Sequence, residues 1–404
     1  MDLKYKFMMM FMIVLCGMIS IAAFNPIIGP LSRMIGLNEI ESGCLVSVTG
    51  MCWLIGGFFW EKCTFMSRKK ILAMIMFVYV LTLIGFGLLA DAATNSSTWN
   101  HTVLFWIFFV LRAVAGFFFG GIPAQAQAYV MGWTTADTRT KGMALFGAAN
   151  GLGFVLGPAL SGWLASISLT APMYAASTLL VLIALWFIAY IPDAPVPSIQ
   201  KQRKLSLSPM DARIRLYLWI GFVLSIALNM VQVTIGFYVQ DQLGYNAAQT
   251  MQFIGLGLAL SGVMVVASQV IITRYLKSSP RLVLLVGLSC VAVGLLGFLL
   301  FIHQAMIAFI ILGFGIGFTM LGYSAGASMS VQHHEQRSVA TYIAALQGGG
   351  AFVGPVIGTI LYTSHILLPY GLGISLMMIL LLFVIRKNSN RQVAQGIPQN
   401  SSHD

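Results

Sequence analysis

Charge is what this chain has least of. Only 8% of its 404 residues are Asp, Glu, Lys or Arg, against 58% apolar ones, and mean hydropathy is +0.88. A soluble globular chain of this size does not manage with so little charge, so lipid must solvate this one. Acids are scarcest. The eleven are Asp2, Glu39, Glu41, Glu61, Asp91, Asp137, Asp193, Asp211, Asp241, Glu335 and Asp404, and none falls at the middle of an apolar run. Cysteine is sparse too. Cys16, Cys44, Cys52 and Cys290 lie in apolar runs and Cys63 in a basic loop, with no metal-ligand spacing and no pair placed for a disulfide. No phosphate-cradling G-x-x-x-x-G-K-[ST] loop occurs, which excludes direct drive by ATP. No Ser/His/Asp or metal-ligand constellation converges, so no enzyme chemistry, metal or cofactor is implied.

Apolar runs long enough to cross about 30 Å of hydrocarbon as helices are abundant. They occupy 8–30, 42–60, 71–92, 102–131, 142–165, 172–191, 215–240, 251–273, 282–302, 305–331, 339–364 and 367–386, twelve in all. The first is too long for a signal-peptide core and reads as a retained span. The runs 102–131 and 305–331 are long enough to tilt or project. An even number of crossings puts both termini on one side. Twenty of the 22 Lys and Arg then fall on that side, Arg33 and Arg112 excepted. Such a partition is the positive-inside signature and makes that side cytoplasmic. The net charge of +11 is therefore a topology signal and not a nucleic-acid footprint. The pair His333-His334 falls in a cytoplasmic loop, and Asn95 and Asn100 sit in N-x-[ST] sequons of an outer loop.

The chain divides in two. Residues 193–214, with the charged stretch IQKQRKLSLSPMDARI, read as a cytoplasmic linker between a six-helix bundle over 1–192 and another over 215–387, followed by a tail at 388–404. A repeat supports the division. GLGFVLGPALSG from Gly151 and GGGAFVGPVIGT from Gly348 both read G-x-G-x-x-x-G-P, with Gly153, Gly157 and Pro158 matching Gly350, Gly354 and Pro355 at an offset of 197 residues. Upstream, Asp137-x-Arg139 corresponds to Glu335-x-Arg337. Parallel six-helix repeats point to a secondary transporter. Glycine lets helix backbones approach closely in lipid, and a proline kink can be satisfied by neighbours. The duplicated stretch therefore suits a bend or seal on which the bundles rock.

These residues resemble the major facilitator superfamily, and within it the twelve-helix drug/proton antiporters. The fifth-helix motif of those antiporters, G-x-x-x-G-P-x-x-G-G, is matched by Gly153, Gly157, Pro158 and Gly162, with Ser161 in place of the first glycine of the last pair. The resemblance associates that motif with exporters. The fourth-helix motif appears as RAVAGFFFGG, with Arg112, Gly116, Gly120 and Gly121, and Ala115 in place of the family's glutamine. It implies a buried arginine involved in proton coupling. The helix 2–3 loop motif is partial: Gly57, Glu61 and Lys62 fit, and the basic cluster Arg68-Lys69-Lys70 arrives about three residues late. It implies a gating acid at Glu61. The first-helix proline pair also departs, Pro26 and Pro30 being four apart.

An ionisable residue inside the membrane is functional by default. Arg112 stays charged, so it must face a carboxylate, an anionic substrate group or water. Glu41 and Asp241, at outer helix ends, are the acids nearest a central cavity for proton coupling, with a tyrosine or the substrate itself as alternatives. Amides are plentiful, among them Asn25, Gln125, Gln127, Asn150, Asn229, Gln232 and Gln347. A cavity with a buried arginine, amides and no acid suits a neutral or anionic polar compound, either a drug, a secreted metabolite or a metal chelator such as a siderophore. The reading is an all-α, proton-coupled exporter in a bacterial inner membrane, acting as a monomer. Its rivals are an importer of a metabolite or metal–chelate complex on the same fold, and a non-transporting receptor or scaffold.

Overall fold

A computed structural model describes residues 3–63, 65–95, 99–133, 136–165, 167–191, 207–275, 279–332 and 335–395. His333, His334, linker residues 193–206 and tail residues 396–404 lie outside the described residues, as do the side chains of Asp137 and Arg139. The helices are α1 (Leu3–Ala22), α2 (Ile28–Ile35), α3 (Glu39–Lys62), α4 (Arg68–Asn95), α5 (His101–Trp133), α6 (Ala136–Ala165), α7 (Ala171–Tyr190), α8 (Arg215–Leu243), α9 (Ala247–Tyr275), α10 (Pro280–Leu300), α11 (Ala305–Met329), α12 (Gln336–Ser364) and α13 (Leu368–Gln395). Twelve of them are long and apolar enough to span a bilayer. Helix is what lipid demands of a spanning chain, because backbone N–H and C=O groups find no water there. We term the end where α1 begins and α13 ends the inner face.

The first run is not one continuous span. Helix α1 stops at Ala22, residues 23–27 form a turn, and α2 resumes at Ile28. Pro26 lacks an N–H and cannot continue the ladder, whereas Pro30 falls in the first turn of α2, where no N–H is needed. The turn is closed by Ala23 N–H to Ile19 O at 2.9 Å and Ile27 N–H to Phe24 O at 3.1 Å.

Helices α1–α7 close on a core that includes Ile13, Ile75, Phe119 and Phe187, and α8–α13 on one that includes Leu224, Leu288, Phe298 and Tyr370. The two bundles repeat each other in detail. Gly116 and Gly120 of α5 lie against the carbonyls of Thr49 and Trp53 on α3; Gly313 and Gly317 of α11, again 197 residues on, lie against those of Ser261 and Val265 on α9. Within the bundles, Gly157 of α6 meets Ile19 O, Ala22 and Ala23, while Gly354 of α12 meets Ile226 O, Asn229 and Met230. The motif glycines thus bring α6 onto α1 and α12 onto α8.

Between bundles, α6 packs on α9, α12 on α3, and α2 on α8. These contacts lie toward the outer face: Gly162 against Gly255, Gly43 against Pro355 O and Thr359, and Gly50 against Ala351 and Phe352. Toward the inner end, Gly132, Gly147 and Gly151 face open space. The outer seam is closed and the inner side of α6 is open.

Candidate functional site

The turn at 23–27 sends consecutive side chains in different directions. Phe24 enters the first bundle, where its ring meets Phe86 edge-on at 5.0 Å and lies 3.6 Å beneath the Arg112 guanidinium. Arg112 is only 3% exposed. Its Nε donates to Leu45 O at 3.4 Å, and its own carbonyl accepts the Thr49 hydroxyl at 3.3 Å. Among the described residues no carboxylate pairs with it, so an aromatic face takes that place. A desolvated cation over a ring gains about 2 kcal/mol, far less than a buried charge loses in leaving water. The guanidinium is left with hydrogen-bonding capacity for an anionic group. Tyr79 lies within electrostatic reach of Arg112, and its hydroxyl is 2.9 Å from that of Ser20. At the position equivalent to Arg112 the second bundle has Phe309, packed on Phe298 at 4.7 Å. Among the described residues the buried cation belongs to the first bundle only.

Asn25 turns the other way. Its amide donates to Gln232 at 3.1 Å and to Asn229 at 3.4 Å, both on α8, and Asn229 in turn donates to Ser225 O at 2.8 Å. Asn25 and Gln232 stand 207 residues apart, and so do the next contacts outward, Gly29 with Gly236 and Arg33 with Gln240. The motif contacts of α1 and α8 repeat at that same spacing, so each pair consists of equivalent residues. Equivalent residues meet only on a twofold axis. The α1/α2–α8 seam therefore runs along the pseudo-twofold axis, with an amide rung, a glycine rung and a charged rung from the middle outward. Beside the amide rung a cavity of about 60 Å³ is lined by Phe154 and Pro158 of α6, Leu228 and Gln232 of α8, Ser261 of α9 and Ile316 of α11.

Other amides lie elsewhere. Gln125, 1% exposed, donates to Trp60 O and ties α5 to α3 inside the first bundle, away from the axis. Asn150 donates to Phe146 O at 2.9 Å, beside the glycines that face the inner gap. Gln347 uses its backbone carbonyl to accept the Ser225 hydroxyl at 3.2 Å. Glu61 stands exposed at the inner end of α3.

The two outer acids are engaged at the outer face and not at mid-depth. Glu41 forms a capping box with Asn38 at the start of α3 and lies 3.2 Å from His101. Asp241 accepts both Arg33 nitrogens, at 2.7 and 2.8 Å, and the Tyr362 hydroxyl. Asp241, 33% exposed, is thus held in an ion pair at the outer end of the seam. Sequence reasoning missed Arg33 as its partner. The available signal was that Arg33 breaks the one-sided distribution of bases.

Two pseudo-symmetric bundles meeting on an axis along the membrane normal, with polar groups at mid-depth on that axis, define a secondary transporter of the alternating-access kind. The Major Facilitator Superfamily model matches residues 10–355, and the chain belongs to that family. It is 28% identical over 299 residues to the tetracycline resistance protein, class C, of Escherichia coli, which covers 68% of this chain and 71% of that one. It is 23% identical over 389 residues to multidrug resistance protein 2 of Bacillus subtilis (strain 168), with 91% of each chain covered. Among solved structures, the nucleoside transporter NupG superposes with a TM-score of 0.71 at 12% identity, over 96% of this chain and 99% of that one. The xylose transporter XylE from E. coli does so at 0.67 and 14%, over 94% and 99%. At such identities the structural likeness concerns the fold. The protein is an integral, multi-pass membrane transporter of a small molecule.

Proposed function

We propose that this transporter is a proton-coupled exporter of a polar, neutral or anionic organic compound, with the inner face cytoplasmic. Direction is supported by the Gly153, Gly157, Pro158, Gly162 pattern on α6 and by relatives named for tetracycline and multidrug resistance. The observation that carries the substrate class is Arg112, buried at mid-helix over Phe24 with no carboxylate partner among the described residues. A lipophilic cation has no acid to meet there, while an anionic or hydrogen-bonding group finds a guanidinium and, across the turn, the Asn25, Asn229 and Gln232 amides. Drugs, metabolites and metal chelators of the siderophore kind fall in this class. The linker over 193–214 joins the two rocking bundles, and one chain is a complete transport unit.

The test uses energised inside-out vesicles carrying the protein, with lumenal pH followed while tetracycline, an anionic metal chelator or a lipophilic cation is added. Lumenal alkalinisation with either of the first two and none with the third is the expected result. Alkalinisation with the cation alone overturns the substrate class. Accumulation of a chelate by intact cells, without a proton response in vesicles, favours the importer on this fold.

A further inference from the structure

The charged rung of the axial seam has a construction that an ordinary surface ion pair lacks. Arg33 reaches out of the first bundle from α2 and grips Asp241 of α8 with two parallel hydrogen bonds of 2.7 and 2.8 Å, a geometry that fixes orientation as well as distance. Gln240 adds a third contact at 3.3 Å, and the guanidinium stands 5.0 Å from the Phe237 ring. Each member of the pair also touches a second partner in its own bundle. Glu39 of α3 lies 3.3 Å from Arg33, and the Tyr362 hydroxyl of α12 donates to Asp241. The groups facing Asp241 are thus Arg33 from α2, Glu39 behind it from α3, and Tyr362 from α12.

We propose that Arg33 and Asp241 form an exchangeable outer latch. While the outer seam is closed they pair across the bundles; when it opens, Arg33 passes wholly to Glu39 and Asp241 to Tyr362. Neither charge is stranded in the open state, so the latch biases the equilibrium without blocking it. An ion pair whose rupture left an unpaired charge would cost several-fold more to open. The side chains are 31% and 33% exposed, which screens the pair and keeps its effect near fivefold in population. The proposal rests on the alternating-access fold and holds for export and import alike.

The test is a distance distribution between spin labels at Thr102 and Ser364, exposed outer positions on opposite bundles, in full-length protein in lipid with the native cysteines replaced. Arg33→Gln and Asp241→Asn preserve size, and Asn keeps an acceptor for Tyr362. Each is expected to raise the outer-open population about fivefold, and the double variant to match either single variant, because one break removes the whole interaction. Glu39→Gln is expected to lower the open population, since it removes the substitute partner. Unchanged distances in both single variants, multiplicative effects in the double, or a rise with Glu39→Gln would each overturn the latch. The Glu39 result separates exchange from a fixed salt bridge, and it does not depend on any variant losing its fold.

Discussion

Two glycines of one motif, five residues apart on α6, are placed to fail in different ways when enlarged. At Gly162 an added Cβ lands on the backbone of Gly255 in the other bundle, with its nitrogen at 2.8 Å. At Gly157 it lands on Ile19 O at 2.7 Å and Ala22 Cβ at 2.8 Å, inside its own bundle. Ordinary carbon contacts begin near 3.4 Å, so either valine must push a helix aside. Overpacking of this kind costs about 1–3 kcal/mol. For Gly157→Val the cost falls on every state of the protein, because α6 stays on α1 throughout a rigid-body cycle. For Gly162→Val it falls only on the state in which α6 touches α9. At about 1.4 kcal/mol per tenfold, a penalty of about 2 kcal/mol shifts the outer-closed to outer-open ratio roughly 30-fold.

The assay reads two quantities on each variant, thermal stability and the outer label separation between Thr102 and Ser364. Gly157→Val is expected to lower stability and leave the separation unchanged. Gly162→Val is expected to lengthen the separation with little loss of stability. Both are expected to lose net flux, the first by weakening the bundle and the second by trapping one state. A lengthened separation in Gly157→Val equal to that in Gly162→Val would refute the division of the motif into a bundle face and a seam face.

Three further outcomes are expected. Arg112→Ala should insert and fold yet not transport, and Arg112→Lys should also be impaired, since an ammonium does not stack flat on Phe24; normal vesicle transport by either would remove Arg112 from the machinery. Asn25→Leu should weaken the amide rung by about 0.6 kcal/mol, a loss of roughly threefold in outer-closed population by the same label measurement. At the linker end, Arg213 bridges Asp211 at 3.0 Å and Glu335 at 2.9 Å, and its hydrogen bonds hold the Asp211 carboxyl below the ordinary carboxylate range. A depressed value means the anchor is intact above about pH 4 and is lost only as pH falls further. The mobility of a fluorophore at Ser208→Cys should therefore stay flat from about pH 8 to 5, and a transition between about pH 6 and 7 would contradict the assignment.

The twelve spans were legible because hydropathy and the one-sided distribution of Lys and Arg report on the bilayer directly. What hydropathy does not report is facing. A span that is apolar all round gives no amphipathic stripe, and so Gln125 and Gln232, both amides in long apolar runs, look alike in the sequence. The structure sends one into a bundle against Trp60 O and the other onto the axis against Asn25. The break after Ala22 was hidden for a related reason. Pro26 and Pro30 lie in a run that is apolar but for Ser20 and Asn25, and only the backbone shows that the first ends a helix and the second starts one.

The repeat carried more than its best-preserved motif suggested. At an offset of 197 residues the glycines of α6 and α12 match visibly, but α1/α2 and α8 share little beyond Asn25 with Gln232 as amides and Gly29 with Gly236. Their equivalence rests on contacts: Gly157 and Gly354 touch residues that are 207 apart. Once that register is known, the departures from symmetry become the informative positions. Arg112 answers to Phe309, and Arg33 answers to Gln240, with Asp241 one residue further on. Packing needs the two bundles alike, since the same helix pairs must close the same seam. A substrate site is under no such constraint, since a substrate without twofold symmetry is met by different residues from each bundle. The two bases that break the one-sided charge distribution, Arg33 and Arg112, are also two positions where the repeat is broken, one at the outer end of the axis and one beside its turn.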